Sequence, residues 1–158
     1  MKETHPVTCL FSTLLIALLF FTTVNAAENA TKDECIEKAK AAAQLLQEKG
    51  MEAALEKVND KTGPFVWKNS YVFCIDLEKQ CNIAHPMTPA LIGKNLMGAK
   101  DVNNKMFFAE FISVAKTQGE GWVSYMWPKP GETTPSLKST FVYRVPGQNV
   151  AMLAGIYE

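Results

Sequence analysis

Histidine is nearly missing from this sequence: of two, His5 lies in the first segment and His85 stands alone in the rest. That scarcity excludes a two-histidine metal site, a HExxH protease and a CxxCH haem attachment, and a serine–histidine–acid hydrolase would have to be built on His85. No GxSxG elbow and no P-loop occurs, so neither an α/β-hydrolase nucleophile nor a phosphate cradle is encoded. An excess of charge is also lacking, since Lys plus Arg number 16 and Asp plus Glu 16. Nucleic-acid binding would show as a basic stripe and a membrane-surface helix as a basic amphipathic pattern, and neither is present. These absences leave no metal or cofactor to expect and no catalytic pairing of nucleophile and base, which argues against an enzyme.

What is present begins with a leader. Lys2 precedes an uncharged run from Leu10 to Val24 rich in Leu, Phe, Ile and Ala. At about 15 residues the run is shorter than the roughly 20 that span a bilayer, and Val24-Asn25-Ala26 supplies a small-x-small processing site. The expectation is a cleavable signal peptide over residues 1–26, with retention as an anchor the alternative, and a periplasmic or secreted domain over residues 27–158. Removing Lys2 and Glu3 with the leader keeps the balance neutral.

Cysteines beyond the leader are Cys35, Cys74 and Cys81, an odd number for a compartment in which disulfides form. Cys74 and Cys81 flank a turn at Asp76-Leu77-Glu78-Lys79, which places them diagonally on a hairpin, about 7 Å apart at the upper limit for a bridge. The spacing is compatible with a Cys74–Cys81 disulfide or with two buried free thiols.

Thr31-Lys32-Asp33-Glu34 is a capping box, and apolar residues recur at Cys35, Ile36, Ala39, Ala42, Ala43, Leu45 and Leu46, predicting a long first helix that Gly50 ends or bends. Met51 to Val58 resumes the helical pattern before a breaker cluster at residues 59–64. Aromatic and β-branched residues then predict strands at Phe65–Trp67, Tyr71–Leu77 and Gln80–Ala84. The stretch after His85-Pro86 is long, polar and glycine-containing, a surface loop packed over something. A second helix is expected from about Asn103 to Gln118, burying Met106, Phe107, Ala109, Phe111 and Val114. Strands at Gly121–Trp127, Leu137–Val145 and Val150–Tyr157 complete an α+β domain, an antiparallel sheet with its helices on one side.

Several segments stand in a familiar order: Asp60-Lys61-Thr62-Gly63-Pro64-Phe65-Val66-Trp67, Tyr71-Val72-Phe73, Ala84-His85-Pro86, Gly93-Lys94-Asn95-Leu96, the run Gly121 to Pro130, and Val145-Pro146-Gly147 through Ala154-Gly155-Ile156-Tyr157. Over nearly the whole chain beyond the leader, this pattern resembles a single Cache domain. It departs from the family at Val150, where a tryptophan is usual, and at Glu78-Lys79, where an Asp-Gly turn is usual. The resemblance implies a PAS-like antiparallel sheet behind a long amino-terminal helix, and a pocket for a short organic acid such as acetate, propionate, pyruvate or lactate. Most such domains are receptor ectodomains of chemotaxis receptors and sensor kinases. A chain stopping at Glu158 reads as a free-standing version that would act through a membrane-bound signalling or transport protein, the alternative being an accessory protein with a vestigial pocket.

Residue chemistry nominates the pocket. Lys138, Thr140 and Val142 share a strand face, and a lysine turned toward the buried side of a sheet needs an anionic partner, which a bound carboxylate would supply. The bland alternative is a solvated strand-end lysine. Val123, Tyr125 and Trp127 share a face on their strand, and Tyr and Trp join an apolar wall to a hydrogen-bond donor. Tyr71 and Phe73 would form the opposite wall or plain core. His85 is placed either to donate to the same carboxylate or to satisfy a loop carbonyl. Asp76, Asp101 and Glu120 read as solvated turn residues.

Overall fold

A computed structural model describes residues 28–158, so the signal-peptide expectation lies outside the described residues. Helix α1 (Lys32–Lys49) starts at the capping box: Thr31 accepts from the Glu34 amide, and the Glu34 carboxylate accepts from the Thr31 amide at 2.8 Å. Gly50, at φ +86°, breaks the helix and α2 (Met51–Asn59) follows at once. Strands β1 (Val66–Trp67), β2 (Ser70–Asp76) and β3 (Cys81–Ala84) precede the long loop, α3 (Phe107–Thr117), and then β4 (Glu120–Pro128), β5 (Pro135–Arg144) and β6 (Val150–Tyr157). All strand pairs are antiparallel in the order β1-β2-β6-β5-β4, with β3 also on β2. The expected α+β class and its strands are found to within a residue or two.

One layer differs from expectation, because the helices cover both sheet faces. On one face the small residues Ala39, Ala42 and Ala43 let α1 lie close on Val72, Cys74, Met152 and Ala154. On the other, Phe107, Phe108, Phe111 and Ile112 of α3 pack on Tyr71, Phe73, Ile75, Val123, Tyr125 and Leu153. Central strands between two helical layers are apolar throughout instead of alternating. Accordingly every residue of β2 from Ser70 to Ile75 is buried.

Helix α3 also starts four residues later than its apolar spacing suggests. Asp101 Oδ1 accepts from the Asn103 and Lys105 amides, and Asn104 takes φ +64°, a left-handed residue that a helix cannot include. Met106 therefore stays outside, 45% exposed. The other oxygen of Asp101 accepts from the Met126 amide at 2.8 Å, which ties the loop to the outer strand β4. Asp101 is thus a clasp and not a solvated turn residue, and these bonds hold its carboxyl below the usual range.

The Cys74–Cys81 bridge is not made. Cys81 stands opposite Asp76, two positions along from Cys74, and a bulge between Cys74 and Ile75 shifts the register further. Cys35, Cys74 and Cys81 are buried free thiols.

Candidate functional site

The α3 face of the sheet carries the site, and strand pairing explains why. Tyr125 of β4 stands opposite Lys138 of β5, which stands opposite Tyr157 of β6, so one row holds two phenols around an ammonium. Tyr71 and Phe73 face the same way from β2, as their packing against α3 residues shows. Lys138 is fully buried. Its side chain bends over Gly155 and brings Nζ to 4.0 Å from the Tyr71 ring centroid, 4.9 Å from that of Tyr157 and 5.8 Å from that of Phe73. The missing side chain at Gly155 makes that path: a Cβ there would meet Lys138 Cε at 2.6 Å and Thr140 Oγ1 at 2.5 Å. Three rings attract the cation through their faces, yet among the described residues Nζ has no hydrogen-bond partner and no carboxylate within salt-bridge distance. A buried ammonium costs several kcal/mol unless an anion meets it, on the order of what a whole domain has in hand.

His85 closes this box. Its ring lies 5.1 Å from Tyr71 and 5.4 Å from Phe73. Nδ1 accepts from the Thr88 amide at 2.9 Å, which assigns the proton to Nε2 and fixes the start of the covering loop. The ring thus satisfies a loop amide in place of the loop carbonyl that the sequence suggested. Burial, and after it the charge of Lys138, pushes the imidazole down to about 3. An imidazole depressed this way stays neutral when folded and takes up a proton when unfolded. Stability is therefore complete above pH ~6.5 and falls by up to ~1.4 kcal/mol per pH unit from there toward the folded value. Urea midpoints recorded between pH 7 and 4 should show that slope in the native protein and a smaller one in His85→Gln; equal slopes would mean that His85 protonates without unfolding.

Five of the six nominated residues line one of two neighbouring spaces, and Lys138, packed behind the Tyr71, Phe73 and Tyr157 rings, lines neither. Phe73, His85, Tyr125 and Trp127 line an inner cavity of about 20 Å³, completed by Asn82, by Leu91 and Leu96 of the loop and by three phenylalanines of α3. That volume holds one water-sized probe. Tyr71 and Trp127 also line an outer cleft of about 370 Å³, with Met87, Thr88 and the Pro128–Glu132 turn. Trp127 is the wall between the two spaces. The Tyr125 hydroxyl is engaged by Thr140 Oγ1 at 3.3 Å and its ring stacks on Phe107 at 4.7 Å, so Tyr125 holds shape more than it offers a donor. Sequence reasoning missed Tyr157, whose hydroxyl donates to the Pro128 carbonyl at 2.8 Å, and Asn82. The apolar run of β6 hid the first; the second was readable as the one polar residue within β3.

The family model for single Cache domain 2 matches residues 22–158. The chain belongs to the single Cache domain 2 family. Among solved structures, a periplasmic sensor domain of a chemotaxis protein is 27% identical, with a TM-score of 0.63 over 79% of this chain and 88% of its own. A Cache chemosensory domain solved for carboxylic acid recognition is 25% identical, with a TM-score of 0.68 over 79% of this chain and 91% of its own. A methyl-accepting chemotaxis protein of Vibrio parahaemolyticus, 23% identical with a TM-score of 0.67 over 80% and 87% of the two chains, shares the fold. In sequence, 60 residues are 35% identical to the methyl-accepting chemotaxis protein McpP of Pseudomonas putida, 38% of this chain but 11% of that receptor. This Cache domain is accordingly of the kind that senses small molecules outside the cytoplasm, and among the described residues no helix is long and apolar enough to cross a membrane.

Proposed function

We propose that this Cache domain, exported and freed of residues 1–26, binds a short organic acid such as acetate, propionate, pyruvate or lactate, and reports it by docking on a membrane-bound signalling or transport protein. The observation that carries this reading is Lys138: a fully buried ammonium boxed by aromatic rings, with no acidic side chain paired to it among the described residues. A ligand carboxylate is the counter-charge such a site needs, and Tyr71, Phe73 and Trp127 give an apolar wall for a short alkyl end. The likeness to a domain solved for carboxylic acid recognition supports the same chemistry.

Ligand size bounds the affinity. At about 1.5 kcal/mol per heavy atom, a four-atom acid reaches at most about −6 kcal/mol, or tens of micromolar. Thermal unfolding of the purified domain against short carboxylates, amines and sugars tests the reading. A ligand that binds only the folded state at a hundredfold excess over Kd adds about 2.7 kcal/mol, so one or a few short acids should raise the melting temperature and the amines and sugars should not. No rise with any acid would defeat the carboxylate reading and favour a role in protein interaction.

A further inference from the structure

Lys138 Nζ is sealed from both neighbouring spaces, the inner cavity and the outer cleft. An anion can meet it only if a covering ring moves, because side chains packed at interior density leave no path between them. Three rings stand around Nζ, and their surroundings set them apart. Phe73, at 5.8 Å, lines the inner cavity, whose volume of about 20 Å³ gives a ring nowhere to go. Tyr157, at 4.9 Å, is held by its hydroxyl, which donates to the Pro128 carbonyl at 2.8 Å. Tyr71 is nearest, at 4.0 Å, and of the three it alone lines the outer cleft of about 370 Å³. That volume lies in the ordinary range of small-ligand pockets, with room for a displaced ring and a ligand of a few heavy atoms. The Tyr71 ring thus has a buried cation on one side and open space on another.

We infer that Tyr71 is a gate: its ring swings into the outer cleft and brings that cleft into contact with Lys138 Nζ. The purpose of the gate rests on the reading of Lys138 as the anion's anchor; its geometry does not. With the ring in place, its face attracts the ammonium and shuts water out. With the ring displaced, the ammonium faces the cleft, where water or an anion replaces the attraction that was lost. Trp127, which also borders the cleft, remains the wall toward the inner cavity.

Reductive methylation of lysines with formaldehyde tests the gate without any ligand. Rates at each lysine of the purified protein are read by peptide mass spectrometry, beside hydrogen exchange of the β5 and β6 amides. A group that reacts only while open is slowed, relative to exposed groups of its kind, by the rarity of the opening. A ring moves more often than the domain unfolds, so Lys138 should be protected at least ~10-fold less than the core amides are. In Tyr71→Ala the Lys138 rate should rise at least ~10-fold more than core amide exchange does, a comparison that discounts any loss of stability. Tyr71→Phe, which keeps the ring, should match the native protein within ~3-fold. Lys138 protected as strongly as the core amides, or a Tyr71→Ala rate that rises no more than core exchange, would overturn the gate. Should Tyr71→Ala not fold, the native comparison decides. Repeating the measurement with excess acetate, propionate or lactate separates the two readings. Slower methylation of Lys138 alone would place the acid at the gated amine, whereas unchanged methylation with every acid would leave the gate standing and defeat the carboxylate reading.

Discussion

Replacing Lys138 by methionine should make the protein more stable and unable to bind a short acid. The two effects have opposite signs because the ammonium is a liability without an anion and the anchor with one. Methionine keeps the length and volume of the side chain and removes the charge. In the ligand-free protein the relief of an uncompensated buried cation, less the attraction lost to the Tyr71, Tyr157 and Phe73 rings, should leave a gain on the order of 1–3 kcal/mol. Binding should weaken by about 2–5 kcal/mol, from roughly thirtyfold to several thousandfold, which for a ligand of this size is complete loss. Urea unfolding without ligand and calorimetry with it read the two quantities separately. A variant that is less stable and still binds acids would make Lys138 a packing residue and remove the site.

Gly155→Ala should show the next largest effect, and for a reason confined to one methyl group. The added Cβ meets Thr140 Oγ1 at 2.5 Å, Lys138 Cε at 2.6 Å and the Ser139 carbonyl at 3.1 Å. The lysine tail can swing away but the strand beside it cannot, so the cost should be about 1–3 kcal/mol of stability. Acid binding should weaken too, because the displaced tail no longer presents Nζ between the rings. A double-mutant cycle with Lys138→Ala separates the contributions: removing Cε should return part of the stability lost to Gly155→Ala, while the clash with Thr140 persists. Additive losses in the cycle would show that the lysine does not run over Gly155.

The fold was legible where the chain repeats a local rule. The capping box at Thr31, the glycine break at Gly50 and the proline–glycine turns set element boundaries by chemistry that acts within four residues. What was not legible depended on contacts between distant segments. The alternation of Lys138, Thr140 and Val142 placed the lysine on a face, but only the α3 layer makes that face an interior. The same layer was assigned to the wrong side because the apolar runs of β2 and β6 carry no alternation from which to read a second cover. Met106 was misjudged since the left-handed turn at Asn104, stabilised by Asp101, overrides the helical spacing around it. Tyr157 and Asn82 belong to the site through register: one faces Lys138 across β6, the other faces Ile75 across a bulged hairpin, and no spacing along the chain encodes either pairing.

The three thiols on α1, β2 and β3 bear on how the protein can be handled. Cys35 points from α1 onto the sheet with Sγ 3.8 Å from Ser70 Oγ, and burial pushes its thiol up to about 11 and that of Cys74 higher still. A protonated thiol is a poor nucleophile toward disulfides and oxidants. With no bridge among Cys35, Cys74 and Cys81, this domain draws its stability from non-covalent contacts, packing and hydrogen bonds together. Folding in a reducing cytoplasm, refolding from urea with or without a reductant, and storage in air should therefore all lead to one and the same product, so that the sensor is indifferent to the oxidative chemistry on which many exported proteins of this size rely.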